Sequence, residues 1–342
     1  MFLYSERWHG CRFQEFGWRR HRLIVLENEL LRLSVIASKG ADILEFRYKP
    51  EDLDVLWHAP QPLIDYVPTR ARDAGAFMDY YAGGWQECFP SGGNPCNYRG
   101  AQLGAHGEVT LMPWDVRVKE DSPSRIAVEF SVECMRTPFR LERLMILESN
   151  QPAVRLQETI VNLGEERLHY GWGHHPAFGP PFLQAGCVLD LPRCKAEVPA
   201  YALGLRRRLQ SGSQRLDDVR TVLDKSSRTE DVVLFSELAD GWAALRNPMR
   251  KLAIGLTWDR SVFPYVWNWQ VYGGSFGSPY FGRTHTFAIE PFNTPIITLE
   301  EAATHGLAPE LAPGERRRGF LEIGIIAAEK PIVSLVPRLK AF

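Results

Sequence analysis

The chain has 342 residues, of which 45% are hydrophobic, so it can bury a large core without disulfide or metal staples. Lysine and arginine total 40 and aspartate and glutamate total 41, and this net charge of -1 argues against a nucleic-acid partner, which normally requires a basic excess. The first 20 residues lack a signal-peptide core, and no apolar run approaches the roughly 20 residues of a membrane span. We therefore expect a cytoplasmic protein that does not cross a membrane.

The strands are predicted from short runs in which apolar and polar residues alternate, separated by glycine and proline. In chain order the predicted strands are residues 22–26, 30–36, 43–48, 114–118, 126–132, 141–147, 153–162, 232–236, 242–246, 252–258, 285–289 and 319–326.

Helical patterns are weak and confined to residues 201–209 and 217–223, in or beside a polar excursion over 210–230. Many short strands joined by turns predict a β-sandwich, and no linker or repeat interrupts the chain. We therefore predict one domain over residues 1–342, mainly β, with few short helices.

The six cysteines are scattered and form no C-x-x-C pair, so they are interpreted as reduced thiols of the core. They are Cys11, Cys88, Cys96, Cys134, Cys187 and Cys194.

Five segments are too rich in glycine, aromatic and polar residues to be predicted as ordinary core strands. They are residues 80–93, 105–114, 171–179, 266–270 and 287–291. Tryptophan rings stack on the apolar faces of sugars, and amides bind sugar hydroxyls. The segments offer both in Trp85, Gln86, Trp172, Trp267, Asn268, Trp269 and Gln270. They therefore favour a carbohydrate site, although each tryptophan could equally fill the core.

Other chemistries find less support in the sequence. The adjacent His174 and His175 would point to opposite faces of a strand, and no H-x-H or H-E-x-x-H spacing occurs, so no metal site is predicted. The chain also lacks a G-x-S-x-G elbow and the glycine fingerprints of phosphate and dinucleotide loops.

Five motifs in order across residues 83–291 resemble the aldose 1-epimerase (mutarotase) superfamily, especially its hexose-6-phosphate epimerase branch. They are Gly83-Gly84 with Cys88-Phe89-Pro90, His106-Gly107 with Trp114, His175-Pro176-Ala177-Phe178, Trp267-Asn268, and Glu290-Pro291. The turn at Gly40-Ala41 also resembles the opening element of the family. The resemblance implies a galactose-mutarotase-like supersandwich of two large antiparallel sheets.

One position departs from the branch. Its arginine before the Gly-Gly pair is replaced by Ala82, so that charge is either missing or supplied by another arginine, with Arg70, Arg72, Arg99 and Arg283 as the candidates. The longer sequences Trp85-Gln86-Glu87 and Trp267-Asn268-Trp269-Gln270 are more similar to an uncharacterised mutarotase-like subgroup. Substrate identity therefore does not carry over, and we expect a neutral sugar.

By resemblance, Glu290 is the base that takes the proton of the C1 hydroxyl, His175 is the acid at the ring oxygen, and His106 binds near that oxygen. His174 could face the site in place of His175. The expected sugar contacts are Trp85, Gln86, His174, Trp267, Asn268, Trp269, Gln270, Asp259 and Arg283. No metal or cofactor is expected, and the partner is a small-molecule sugar bound by a monomer or homodimer.

Two other functions remain open on the same sandwich. A carbohydrate-binding protein would keep the tryptophans without the acid and base. A glycoside-cleaving enzyme or lyase would need a second carboxylate beside Glu290, and Glu87 or Glu108 could supply it.

Overall fold

The computed structural model describes residues 5–61, 63–65, 74–200 and 207–337, and the regular secondary structure of this part of the chain is mainly β-strand. The strands are β1 (Arg12–Trp18), β2 (His21–Glu27), β3 (Leu31–Ile36), β4 (Asp42–Tyr48), β5 (Leu53–Asp54), β6 (Trp85–Cys88), β7 (Cys96–Tyr98), β8 (Ala101–Leu103), β9 (Asp115–Asp121), β10 (Arg125–Glu133), β11 (Phe139–Glu148), β12 (Ala153–Asn162), β13 (Leu168–His169), β14 (Gly173–Phe178), β15 (Val188–Asp190), β16 (Lys195–Val198), β17 (Gly212–Gln214), β18 (Thr229–Ser236), β19 (Trp242–Asn247), β20 (Leu252–Trp258), β21 (Tyr265–Tyr272), β22 (His285–Ala288), β23 (Glu290–Phe292), β24 (Glu310–Leu311) and β25 (Arg316–Ala327). The α-helices are α1 (Ala74–Tyr80), α2 (Leu216–Val219) and α3 (Leu299–Thr304).

Two large antiparallel sheets form the sandwich. Among the described residues, the large sheet has 13 strands. Eleven follow the order β1-β2-β3-β4-β6-β14-β22-β21-β18-β16-β17, β5 pairs with β4, and β23 pairs with β14 and β21. The second sheet has eight strands in the order β15-β19-β20-β25-β12-β11-β10-β9. The predicted mutarotase-like supersandwich with few short helices is confirmed.

The main core lies between the two sheets because alternate residues of each strand are apolar. In β10, Ile126, Val128 and Phe130 are buried in this core, and Leu141 and Met145 of β11 join them. Such period-two burial is what a half-covered strand produces, and it explains why these strands were predictable.

The middle of the large sheet departs from the prediction. Four of the five segments interpreted as site segments rather than ordinary strands contain strands all the same, namely β6, β14, β21 and β23, whereas residues 105–114 contain none. Every residue of β14 is buried, so no alternation marks it in the sequence. The predicted helix at 217–223 is the single turn α2, and residues 201–206 of the other predicted helix lie outside the described residues.

The large sheet is covered on its second face as well, which we call the site face. Phe178 and Phe287 point into the main core, whereas their neighbours Ala177 and Ala288 belong to a separate cluster with Trp57, a residue outside the sheet. A buried pocket with polar side chains can therefore form between this face and the loops that cover it.

We propose that residues 1–342 form one domain, since a single cluster of buried apolar residues has members from Cys11 to Ile325. All six cysteines are free thiols in the structure, and Cys11, Cys88 and Cys187 are buried. Among the described residues, no helix has the length and apolar character needed to cross a membrane.

Candidate active site

The candidate site lies on the site face where β6, β14, β21 and β23 run side by side. His175 of β14 is opposite Gln86 of β6, and Glu290 of β23 is opposite Trp267 of β21. Directly opposite residues in an antiparallel pair project to the same face. The register therefore brings side chains from distant parts of the sequence to one region of the sheet.

Glu290 and His175 are in contact. Nε2 of His175 lies 3.4 Å from Oε1 of Glu290, and both side chains are buried. On the other side of the ring, the Tyr81 hydroxyl lies 3.3 Å from Nδ1 of His175. With Tyr81 donating to Nδ1, the Nε2–H of the neutral ring is directed at the carboxylate.

His106 completes the group from a loop. Its ring centroid lies 5.1 Å from that of His175, and its Nδ1 lies 3.3 Å from Sγ of Cys88. The backbone of His106 has φ of 59°, in the left-handed region that a residue with a Cβ rarely adopts. Gly107 follows with φ of 85°, and a Cβ there would lie 2.3 Å from the carbonyl oxygen of Phe89. The turn thus requires glycine at position 107, and it holds His106 in an unfavourable backbone conformation that delivers the imidazole.

An aromatic wall stands beside these three residues. Trp269 lies 5.8 Å from His175 between ring centroids, and Trp57 lies 5.8 Å from Trp269. Tyr280 packs against both tryptophans, at 5.7 Å from Trp57 and 6.0 Å from Trp269. Trp269 is half-buried, and its Nε1–H donates to Glu230 at 3.2 Å. This wall offers the apolar surface on which a sugar ring can stack.

Burial shifts the acid–base groups towards their neutral forms. It raises the pKa of Glu290 from 4.5 to about 8, opposed by a hydrogen bond from the backbone of Trp269. Burial also lowers the pKa of His175 from 6.5 to about 4. The pKa of His106 falls well below its usual value because of burial and the charges of His175 and Lys39. A raised carboxyl and a lowered imidazole in contact are typical of catalytic sites.

His174 faces the main core, opposite to His175, as the alternation of a strand requires. Its Nε2 lies 2.9 Å from Glu158 and its Nδ1 lies 3.4 Å from Glu87. Arg143 bridges the same two carboxylates at 3.0 Å from Glu158 and 2.7 Å from Glu87. Burial alone lowers the pKa of His174, but the two carboxylates reverse this and raise it. His174 therefore belongs to an ionic network between the two sheets.

This network has metal-ligand chemistry in part, since ligand atoms of Glu87, Glu158 and His174 all lie within 4.8 Å of one another. The guanidinium of Arg143 already supplies a positive charge to both carboxylates. A divalent cation would compete with Arg143, so the donor set is better explained as a buried salt-bridge network.

The expected sugar contacts divide between the two faces of the large sheet. Trp267 and Gln86 are on the site face, and Trp267 is buried with its Nε1–H bonded to the carbonyl of Thr294. Asn268 and Gln270 alternate with them towards the core and bond the carbonyls of Ala288 and Val219.

Trp85 lies in the main core, where its Nε1–H reaches His174 at 3.3 Å. The structure therefore does not bring Trp85, His174, Asn268 or Gln270 to the residues around Glu290.

Three other expected residues lie elsewhere. Asp259 binds Ser261 in a turn and lines a groove on the second sheet with Arg155 and Phe320. Arg283 is exposed and donates to the carbonyl of Tyr280 at 3.2 Å, at the edge of the aromatic wall. Arg99 pairs with Glu166 at 3.1 Å. Arg70 and Arg72 lie outside the described residues.

The sequence interpretation assigned no role to Trp57, Tyr81 or Tyr280, although Tyr81 lies within one of the site segments. Trp57 and Tyr280 come from segments outside the strands of the site and have no nearby polar pattern. For Tyr81 a signal was available, because it precedes the Gly83-Gly84 turn that leads into β6.

Solved structures with the same fold support this assignment of architecture. A "putative aldose 1-epimerase" from Klebsiella pneumoniae matches with a TM-score of 0.78 at 15% identity, over 96% of this chain and 88% of that one. A galactose mutarotase-like protein from Clostridium acetobutylicum gives 0.68 at 16% identity, over 92% and 98%. Another from Lactobacillus casei gives 0.59 at 17% identity, over 89% and 100%.

At these identities the likeness shows the fold, and the predicted resemblance to mutarotases is confirmed at that level. The hexose-6-phosphate branch is not confirmed. No curated protein matches the sequence. A family model described as a domain of unknown function, DUF4432, matches residues 19–325, and the chain therefore belongs to this family.

Proposed function

We propose that the protein is an aldose 1-epimerase that interconverts the α and β anomers of a sugar without a cofactor. The contact between Glu290 and His175 carries the proposal, because it places a carboxylate and an imidazole 3.4 Å apart on the site face. The two oxygens that must exchange protons, the C1 hydroxyl and the ring oxygen, are both bonded to C1. Neighbouring acid and base groups can therefore reach both of them.

The number of titratable protons that Glu290 and His175 hold together suits a reaction that must run in both directions. Between about pH 4 and pH 8 the pair holds one proton, because His175 titrates near the lower value and Glu290 near the upper. In the reactive form the shared proton is on His175 and Glu290 is ionised, and the 3.4 Å contact lets the proton pass between the two groups. During ring opening, the ionised Glu290 takes the C1 hydroxyl proton while the His175 imidazolium gives one to the ring oxygen. Ring closure on either face of the aldehyde returns both protons, so the enzyme ends as it began.

His106 and Tyr81 support the pair from two sides. The Tyr81 hydroxyl contacts Nδ1 of His175 at 3.3 Å and fixes which ring nitrogen faces Glu290. Burial raises the pKa of Tyr81 well above its usual value, so this hydroxyl stays protonated. His106 is held in its neutral form and can bind a sugar oxygen beside His175.

A neutral sugar is the proposed substrate class. Among the described lysines and arginines, Lys39 is the one whose charge acts on His106, and its ammonium group forms an ion pair with Asp42. Phosphate groups are usually bound by several uncompensated cations. An unpaired arginine or lysine cluster at the pocket would point instead to a sugar phosphate.

A glycoside-cleaving enzyme receives less support from the geometry. Glu87 is committed to Arg143 in the main core, and the carboxylate of Glu108 accepts backbone N–H groups of Met135, Arg136 and Thr137. Neither is placed to act as the second carboxylate beside Glu290.

Anomer exchange measured by saturation-transfer NMR tests the proposal. With a sugar that the wild type accelerates, Glu290→Gln should lower exchange by about 10²–10⁴-fold and change affinity little, since it removes a positioned base and keeps the shape. Glu322→Gln is the matched control, because Glu322 is also buried but lies in β25 of the second sheet. Equal exchange in Glu290→Gln and wild type would remove Glu290 from the mechanism.

A further inference from the structure

We propose that Lys39, Asp42 and Gln86 form a second part of the sugar site, a recess that binds adjacent hydroxyl groups away from the anomeric carbon. This inference rests on the sugar-binding function proposed above and narrows its substrate class. It concerns residues whose side chains the acid–base mechanism does not use.

The strand register places the recess beside the acid–base pair. Ile43 of β4 is opposite Trp85 of β6, and both point into the main core. Asp42 and Gln86, one residue away on each strand, therefore point to the site face. Gln86 is also directly opposite His175, so its side chain is a cross-strand neighbour of the imidazole on the same face.

The recess holds more hydrogen-bonding capacity than the described residues satisfy. Lys39 and Gln86 both donate to Oδ2 of Asp42, with the amide at 3.3 Å. Because a carboxylate only accepts, this contact fixes the amide with Oε1 pointing away. Oε1 of Gln86 and Oδ1 of Asp42 are buried, and no described group bonds either atom.

Buried polar atoms without partners are rare in folded proteins, since each costs roughly 1–3 kcal/mol. All three residues are at most 2% exposed, so bulk water does not satisfy their polar atoms. Gly40 packs closely against the carboxylate: a Cβ there would lie 2.3 Å from Oδ1 of Asp42, and the residue has φ of 68°, so the turn beside Asp42 requires glycine. A bound group with donors and acceptors would satisfy these atoms.

The chemistry of the recess matches sugar hydroxyls. Lys39 contributes ammonium donors, while Asp42 and Gln86 contribute acceptors beside them, and each hydroxyl both donates and accepts. Lys39 and Asp42 have opposite charges, so the recess as a whole is neutral and offers no excess charge to a phosphate or carboxylate. The charge of Lys39 acts on His106 and that of Asp42 acts on Tyr81, so the recess lies within electrostatic range of the site.

Exchange kinetics with single-deoxy analogues of an accepted sugar test the inference. In the wild type, removing one of two adjacent hydroxyls should lower kcat/KM by about 10–100-fold, because the buried partners are left unpaired. In Gln86→Met the same analogue should lose much less relative to the parent sugar. Thr257→Val is the control, since Thr257 also has a buried hydroxyl without a described partner but lies in β20 of the second sheet.

A uniform fall for all sugars in Gln86→Met, with the wild-type ratios unchanged, would overturn the inference and show that Gln86 only supports the fold. The inference would also be overturned if the wild type discriminated against none of the analogues, as expected if ordered water alone fills the recess. Asp42→Asn, read by the same ratios, replaces Gln86→Met if that variant does not fold by circular dichroism.

Failure of the proposed function gives a different result. If the wild type accelerates no aldose, saturation-transfer difference NMR on the same sugars reports binding without turnover. Loss of binding for the deoxy analogues, relieved in Gln86→Met, would then retain the recess in a carbohydrate-binding protein. Equal binding of parent sugar and analogues, or none at all, would reject it.

Discussion

The gain in the free energy of unfolding that Glu290→Gln gives over the wild type should be larger at alkaline pH than at acidic pH. Burial raises the pKa of Glu290 to about 8, from 4.5 for an unperturbed carboxyl. Between these two values the unfolded chain has lost a proton that the folded chain keeps. The free energy of unfolding of the wild type therefore falls as the pH rises through this window.

The pKa difference gives the magnitude. Each unit corresponds to about 1.4 kcal/mol, so the carboxyl costs the fold up to about 4 kcal/mol more at pH 8 than at pH 5. The glutamine variant has no such proton and loses this dependence. His175 destabilises the fold as the pH falls below about 6.5, towards its folded pKa of about 4. This contribution is present in both proteins and largely cancels in the comparison.

Urea unfolding of both proteins at pH 5 and pH 8 measures the effect. The stability advantage of Glu290→Gln should grow by about 2–4 kcal/mol between the two pH values. The same substitution at the exposed Glu197 of β16 should give no such growth. An advantage that is the same at both pH values would refute the reasoning, because Glu290 would then ionise as an ordinary carboxyl does.

Three further predictions follow from the site and its support. The pH profile of kcat/KM for anomer exchange should be flat between about pH 4 and pH 8 and fall on both sides, since the pair must hold one proton; a rate that rises steadily through pH 8 would contradict this. Arg143→Met should lower the free energy of unfolding, measured in urea, by about 3–5 kcal/mol, because it leaves the two buried carboxylates of Glu87 and Glu158 without their cation. A loss below about 1 kcal/mol would show that the network is not ionic. Trp269→Ala should weaken sugar binding in NMR titrations by about 1–3 kcal/mol through lost apolar contact, whereas Trp8→Ala, at an 88% exposed position, should not; equal affinities would exclude stacking on Trp269.

The sequence predicts β2, β3 and β4 of the large sheet and most of the second sheet, whereas β1, β16 and β17 near the edges of the large sheet are not predicted. In β11 the pattern from Phe139 to Glu148 switches between buried and half-buried positions for most of its length. In β14 every residue is buried, so alternation disappears even though the strand is regular. β20 is also fully buried, but its apolar run over residues 252–258 is predicted as a strand. Composition marked β14 as unusual, but it did not reveal that the segment is a strand with two different faces.

The choice between His174 and His175 illustrates what one sequence leaves open. Alternation predicts that they face opposite ways, but it does not say which face carries the site. The answer depends on register: His174 is opposite Glu87, and His175 is opposite Gln86. Glu87 then meets Arg143, which comes from the second sheet and is 56 residues away in the chain. Such a long-range partner leaves no local pattern in the sequence.

The aromatic wall shows the same limitation. Trp57 and Tyr280 are 223 residues apart by their numbering, and their rings meet at 5.7 Å only because separate segments fold over the site face. Family motifs located Glu290, His175 and His106, since those positions recur in a known order. They did not point to Lys39 and Asp42, and the proposal for these residues depends on a buried oxygen of Asp42 that has no described hydrogen-bond partner.

The central claim is that the protein exchanges sugar anomers by using Glu290 as the base. Selective saturation of one anomeric proton, with the wild type added to a panel of free and phosphorylated aldoses, measures this exchange at equilibrium. The account predicts transfer of saturation to the other anomer for at least one neutral aldose, and its loss in Glu290→Gln. Binding of a sugar with exchange no faster than in buffer, for every aldose of the panel, would contradict it.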